Sequence, residues 1–194
     1  MIYTFCGETK GKTSSALGTI VRALGDGGKV RILFFMKHWK TSETDFFDKL
    51  AKIPEFDVLY YQAGDKDFIF VDEATNRATM ESARKQLKFG KLHEKTEEDV
   101  KKAQMGYMKA LNYLDEQPFL LVLDEILVAV KFGLISVQQV RHLLEQANEK
   151  KVHVVLTGRG LPKEIEKLSD LVTEMKKIKH PFDSGVYAVK GLDY

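Results

Sequence analysis

The sequence predicts an α/β fold, a mostly parallel sheet flanked by helices on both faces. Three observations carry this. Short apolar runs alternate with helical patterns through most of the chain, the arrangement expected of strand–helix–strand units. The runs are apolar almost without interruption, as strands covered on both faces must be. Helix start and stop signals fall between them.

The strands are predicted at Ile2–Phe5, Val30–Met36, Phe56–Tyr60, Phe119–Leu123 and Val152–Leu156, with a weaker sixth at Leu171–Met175. Between the first two, Ala16, Leu17, Ile20, Val21 and Leu24 recur at helical spacing, and Gly25-Asp26-Gly27-Gly28 supplies the stop. Ser136 followed by Gln139 has the form of a capping box and opens a helix with Val140, Leu143, Leu144 and Ala147 on one face. From Thr75 to Asp115 the chain becomes charged and helix-favouring, richest in Lys and Glu between Lys85 and Lys102, which reads as solvated helices. With no repeat or low-complexity linker in view, residues 1–194 are expected to form a single domain.

Composition excludes several classes of function. Thirty Lys and Arg against 28 Asp and Glu leave a net charge of +2, far from the basic bias of a dedicated nucleic-acid binder. Any anion site must therefore be local. The single cysteine, Cys6, cannot form an internal disulfide, and neither a secretory leader nor an apolar run of membrane-spanning length is apparent. A cytoplasmic protein is expected. Cys6 reads as a small buried hydrophobe, and the histidines show no metal-ligand clustering.

The chemistry begins directly after the first strand, at Gly7-Glu8-Thr9-Lys10-Gly11-Lys12-Thr13-Ser14, where the first helix also starts. Glycines let successive N–H groups turn toward phosphate oxygens, and the helix N-terminus adds its partial positive charge. In this P-loop arrangement Lys12 would bridge phosphates and Thr13 would ligate Mg²⁺. Only three residues separate Gly7 from Gly11, so the loop is one residue shorter than the usual pattern. The partner acid expected at the end of another strand is supplied by Asp124-Glu125, which follow Phe119–Leu123 directly. Thr157-Gly158-Arg159-Gly160 ends a further strand, where open α/β sheets place ligands. Arg159 there reads either as a phosphate contact or as part of a turn shaped by its glycines.

These segments resemble the ATP:corrinoid adenosyltransferases, in that family's order. The likeness is carried by the short loop Gly7 to Thr13, by Ala16-Leu17-Gly18-Thr19 with Arg22 following, and by Phe35-Met36-Lys37. It continues through Leu123-Asp124-Glu125, Thr157-Gly158-Arg159-Gly160, Lys179 to Gly185 and Gly191-Leu192-Asp193-Tyr194. The middle of the chain matches poorly. The chain starts at the first strand, without the N-terminal extension usual in the family, and Gly7-Glu8-Thr9-Lys10 replaces the family's Gly-Asn-Gly-Lys, adding an anion beside the nucleotide.

The resemblance implies transfer of the 5′-deoxyadenosyl group of ATP to a Co(I) corrinoid, with release of tripolyphosphate. It implies that Lys12 and the loop amides hold the triphosphate, that Thr13 and Glu125 hold Mg²⁺ with Asp124 as the alternative acid, and that Arg22 contacts phosphate. The corrinoid would lie above the C-terminal edge of the sheet, where Phe68, Phe70 or Trp39 would displace its lower axial ligand. For Phe68 and Phe70 the alternation equally fits a packed strand. A homodimer and a reductase that supplies electrons for Co(II) reduction are the implied partners. Loop and carboxylates alone would also serve a P-loop phosphotransferase or NTPase, or an ATP-binding regulatory module.

Overall fold

The computed structural model describes residues 1–65, 68–70, 92–185, 189 and 191–192, with the backbone alone for Phe68, Phe70, Leu92, Phe182 and Asp183. Six strands form one sheet: β1 (Ile2–Cys6), β2 (Val30–Phe35), β3 (Val58–Ala63), β6 (Leu120–Asp124), β7 (His153–Gly158) and β8 (Leu171–Glu174). Their order is β3-β2-β6-β7-β1-β8 and every pairing is parallel. A separate two-stranded parallel sheet joins β4 (Phe68–Phe70) to β5 (Leu92–Glu94).

Alternation along the central strands divides the core between two faces. Ile32 and Phe34 of β2, with Val122 and Val155, pack against Ala16, Ile20, Ala23 and Leu24 of α1 (Lys12–Gly25) and Phe47 of α2 (Ser42–Leu50). Leu33 and Phe35, with Leu121, Leu123 and Leu156, face α3 (Glu97–Asp115), α4 (Ile126–Lys131) and α5 (Val137–Glu149). A short α6 (Lys163–Glu166) precedes β8. The expected fold class is therefore present. In α5 the Ser136/Gln139 capping box and the buried Val140, Leu143, Leu144 and Ala147 are those read from the sequence.

Three details differ from the expectations, and one helix, α2, was not anticipated. Strand β3 starts at Val58 and runs to Ala63, because Lys52 to Phe56 are spent on a turn that follows α2. Helix α2 itself carries no Glu or Gln at the third position of its capping box; Thr41 and Thr44 cap each other instead. In α3 the charged stretch is not merely solvated: Ala103, Gly106, Tyr107, Ala110, Tyr113 and Leu114 form a buried stripe against the sheet. Strand β8 is an exposed edge, with Leu171 and Val172 38% and 41% accessible. Residues 71–91, which include the first part of the charged region read from the sequence, lie outside the described residues. Among the described residues no helix is long and apolar enough to cross a membrane.

Helix α3 approaches the sheet tightly at Gly106, where an added Cβ would lie 2.4 Å from the Ala63 Cβ and 3.0 Å from the Phe35 ring. Gly106→Val should therefore destabilise the protein by about 1–3 kcal/mol through overpacking. Urea denaturation would show this as a lower midpoint at unchanged slope.

Candidate functional site

The loop after β1 is shaped by its glycines and by the end of β8. Gly7 has φ +122°, and a Cβ there would sit 2.3 Å from the Met175 carbonyl oxygen. Met175 approaches because its N–H donates to the Cys6 carbonyl at 2.7 Å, extending the β1–β8 ladder past the strand end. Gly11 then caps α1, whose first residue, Lys12, is only 4% exposed. Lys12 Nζ donates to the Thr9 carbonyl, curling the loop around its own ammonium. Burial pushes the Lys12 pKa below the ordinary lysine value. A buried ammonium at the first turn of a helix, in a loop turned by glycines, is suited to an incoming polyanion.

Asp124, at the end of β6, is 1% exposed and fully engaged. Its Oδ1 accepts from the Thr13 hydroxyl at 3.0 Å and from the Thr157 hydroxyl at 2.7 Å. Its Oδ2 accepts from Lys37 Nζ at 2.7 Å, with Glu43 a further 3.9 Å contact of the same ammonium. Burial opposes the charge on Lys37, but Asp124 and Glu43 outweigh it and hold the pKa above the ordinary lysine value. Thr157 also accepts the Glu125 N–H at 2.8 Å, so one hydroxyl links the two neighbouring acids.

Glu125 is different. It adopts a left-handed backbone conformation, φ 58°, and its Oε2 is buried without a hydrogen-bond partner. Burial, and then the adjacent Asp124, push its carboxyl above the usual range. An orphaned buried carboxylate oxygen beside Thr13 and Lys12 fits a divalent cation, and a loop-bound polyphosphate would complete the coordination. Among the described residues no group of three or more His, Cys, Asp or Glu is gathered to hold a metal unaided, so a cation at Glu125 needs other ligands.

Two hollows meet at Glu125 and Arg159. One, about 890 Å³, runs along Gly11, Lys12, Thr13 and Ser14 to Met175 and His180. The other, about 380 Å³, lies over the C-terminal ends of β2, β3 and β6 and is walled by Trp39, Ile69, Val128 and Phe132, with Lys37 and Lys131 beside them. Glu125 and Arg159 line both. Across the mouth, Glu8 reaches Arg159 at 3.5 Å and Lys131 at 3.7 Å.

The structure thus gathers Gly7 to Ser14, Asp124, Glu125, Arg159 and Trp39 around one region. Phe68 and Phe70 are placed in β4, but their side chains lie outside the described residues. Arg22 is a correction. It is exposed in the last turn of α1, roughly 15 Å along the axis from Lys12, and borders a cleft with Met1, Phe119 and His153 at the opposite ends of the strands. A helix that starts at the loop carries its last turn away from it, so within one chain Arg22 stands apart from a phosphate held by Lys12. Lys37, Thr157 and Met175 were given no role by the sequence. Lys37 and Thr157 stood within the segments Phe35-Met36-Lys37 and Thr157-Gly158-Arg159-Gly160, and Met175 at the end of the weaker sixth strand.

A family model described as ATP:corrinoid adenosyltransferase BtuR/CobO/CobP matches residues 1–194. The corrinoid adenosyltransferase of Pseudomonas aeruginosa is 34% identical over 190 residues, covering 97% of this chain and 80% of that protein. That of Escherichia coli (strain K12) is 31% identical over 196 residues, covering 100% and 85%. Corrinoid adenosyltransferase CobA of Salmonella typhimurium is 31% identical over 198 residues, with the same coverage. The chain belongs to the ATP:corrinoid adenosyltransferase family.

Two outcomes follow from the geometry. Gly7→Ala, which drives a methyl group into the Met175 backbone at a positive φ, should weaken ATP binding at least tenfold by calorimetry. Glu125→Gln should raise the melting temperature of the nucleotide-free protein at pH 7. The folded state binds the Glu125 proton more tightly than the unfolded chain does, so stability is lost as pH rises from the usual carboxylate range through the raised pKa. The advantage of the glutamine should shrink as pH falls back into that range, measured by thermal scans across pH.

Proposed function

We propose that this member of the ATP:corrinoid adenosyltransferase family binds ATP in the loop cleft and a Co(I) corrinoid in the adjoining apolar cavity, and transfers the 5′-deoxyadenosyl group between them. The observation that carries the reading is that a polar, phosphate-suited cleft and an apolar cavity share two side chains, Glu125 and Arg159. Substrates in the two hollows would meet at their common wall, at the C-terminal ends of parallel strands where open α/β sheets bind ligands.

In this reading the nucleophile is the substrate's cobalt. A Co–C bond forms at the ribose C5′ as the C5′–O bond breaks, and the electron pair leaves with tripolyphosphate. The protein's part is placement and charge. Lys12 and the loop amides hold the triphosphate. Thr13, whose hydroxyl proton is committed to Asp124, would hold Mg²⁺ through its oxygen, and Glu125 would hold it through its unpartnered Oε2. A cation held there would neutralise the leaving group. Arg159, released from Glu8, adds a further positive charge at the shared wall. Trp39 presents an aromatic surface to the corrinoid, with Phe68 and Phe70 the further candidates to displace its lower axial ligand.

A homodimer in the cytoplasm, one domain over residues 1–194, and a reductase that supplies electrons complete the reading; the family resemblance supports these parts. Incubation with ATP, Mg²⁺ and chemically reduced corrinoid should yield a light-sensitive adenosylated product and tripolyphosphate in equal amounts. ADP as the product would overturn the proposal in favour of phosphoryl transfer. Lys12→Ala should weaken ATP binding at least tenfold, because it removes the buried cation at the centre of the loop; wild-type affinity in that variant would remove Lys12 from the site.

A further inference from the structure

Lys37 has no part in the mechanism above, yet it makes the closest charge contact at the site. It stands two residues after the end of β2, its side chain is 18% exposed, and its ammonium lies 2.7 Å from Asp124 Oδ2. It also sits over the Phe34 ring, 5.2 Å from the centroid, so its position is fixed by packing as well as by charge. With Thr13 and Thr157 on Oδ1, the Asp124 carboxylate has donors on both oxygens. The next residue, Glu125, has a buried oxygen with none.

Two adjacent carboxylates beside one phosphate loop present a divalent cation with a choice. Both attract it, and both border the same threonine. We propose that Lys37 is a positioning residue that assigns the cation to Glu125 by occupying Asp124 with a tethered ammonium. This rests on the reading that the site takes a divalent cation together with ATP. Because Asp124 is occupied, it serves as an anchor for Thr13 and Thr157 and is withheld from the metal. Without the ammonium, Asp124 Oδ2 is left without a donor directly beside Glu125 in the chain, and the two acids together form a cation site that no longer needs the nucleotide.

The test is Mn²⁺ binding, followed by the free-ion electron paramagnetic resonance signal, in wild type, Lys37→Met and Lys37→Gln, each with and without ATP. Without ATP, Lys37→Met should bind Mn²⁺ at least tenfold more tightly than wild type. Adding Asp124→Asn should abolish that gain, whereas adding Glu125→Gln should leave most of it. A Lys37 variant that is folded by circular dichroism and keeps wild-type affinity overturns the proposal, as does a gain that disappears only with Glu125→Gln. Should Lys37→Met not fold, Lys37→Gln retains a donor for Asp124 and should show the same direction. Independently of any change at Lys37, Glu125→Gln should weaken Mn²⁺ binding to the ATP complex at least tenfold and Asp124→Asn less than threefold. Equal losses overturn the proposal. Absence of Mn²⁺ binding by wild type with ATP would instead refute the underlying cation reading.

Discussion

The carboxylate of Asp124 is the point on which the C-terminal edge of the sheet is organised. A carboxyl group that is 1% exposed is tolerated only where cations and hydrogen-bond donors replace its lost water. Here the donors come from three separate segments: Thr13 in the first turn of α1, Lys37 after β2, and Thr157 in β7. Satisfying one buried anion therefore fixes the loops after β1, β2 and β7 relative to the end of β6. The geometry of the site follows from the solvation needs of a group that need not touch a substrate.

The neighbouring Glu125 concentrates the opposite features. Its backbone is left-handed, its Oε2 lacks a partner, and its ionisation is opposed by burial and by Asp124. Four non-glycine residues among those described have positive φ: Met36, Gln117, Glu125 and Lys151. Gln117 and Lys151 lie just beyond the C-terminal caps of α3 and α5, where such conformations terminate helices. Met36 and Glu125 instead follow β2 and β6 and border the second hollow. Strain set there turns the chain sharply at the site, while the well-packed strands behind it hold the turn in place.

Much of this was legible in the sequence. The apolar runs of the central strands were unmistakable because both faces are covered, and the phosphate loop stood out because few turns place glycines, lysine and threonine between a strand and a helix. Other features leave no local trace. The partners of Asp124 lie 111, 87 and 33 residues away in the chain, so Lys37 and Thr157 acquire their role only when strands that are distant in sequence lie side by side. The start of β3 is set by a turn, which hydrophobicity does not report. An edge strand and a central strand read alike when both are apolar, hence the unexpected exposure of β8. Arg22 misled for a related reason: nearness in sequence to a loop is distance in space once a helix intervenes.

That exposed edge has a kinetic meaning. Among the described residues strand β8 is paired along one side only, to β1, and all four of its residues are accessible to solvent. Edge strands of this kind open locally far more often than a sheet's interior. Yet the residue that continues this strand, Met175, is the floor against which Gly7 turns. A tight glycine turn of the binding loop thus rests on an exposed edge strand, and the frequency at which the loop slackens is tied to the rim of the sheet, while the buried core governs the lifetime of the fold as a whole.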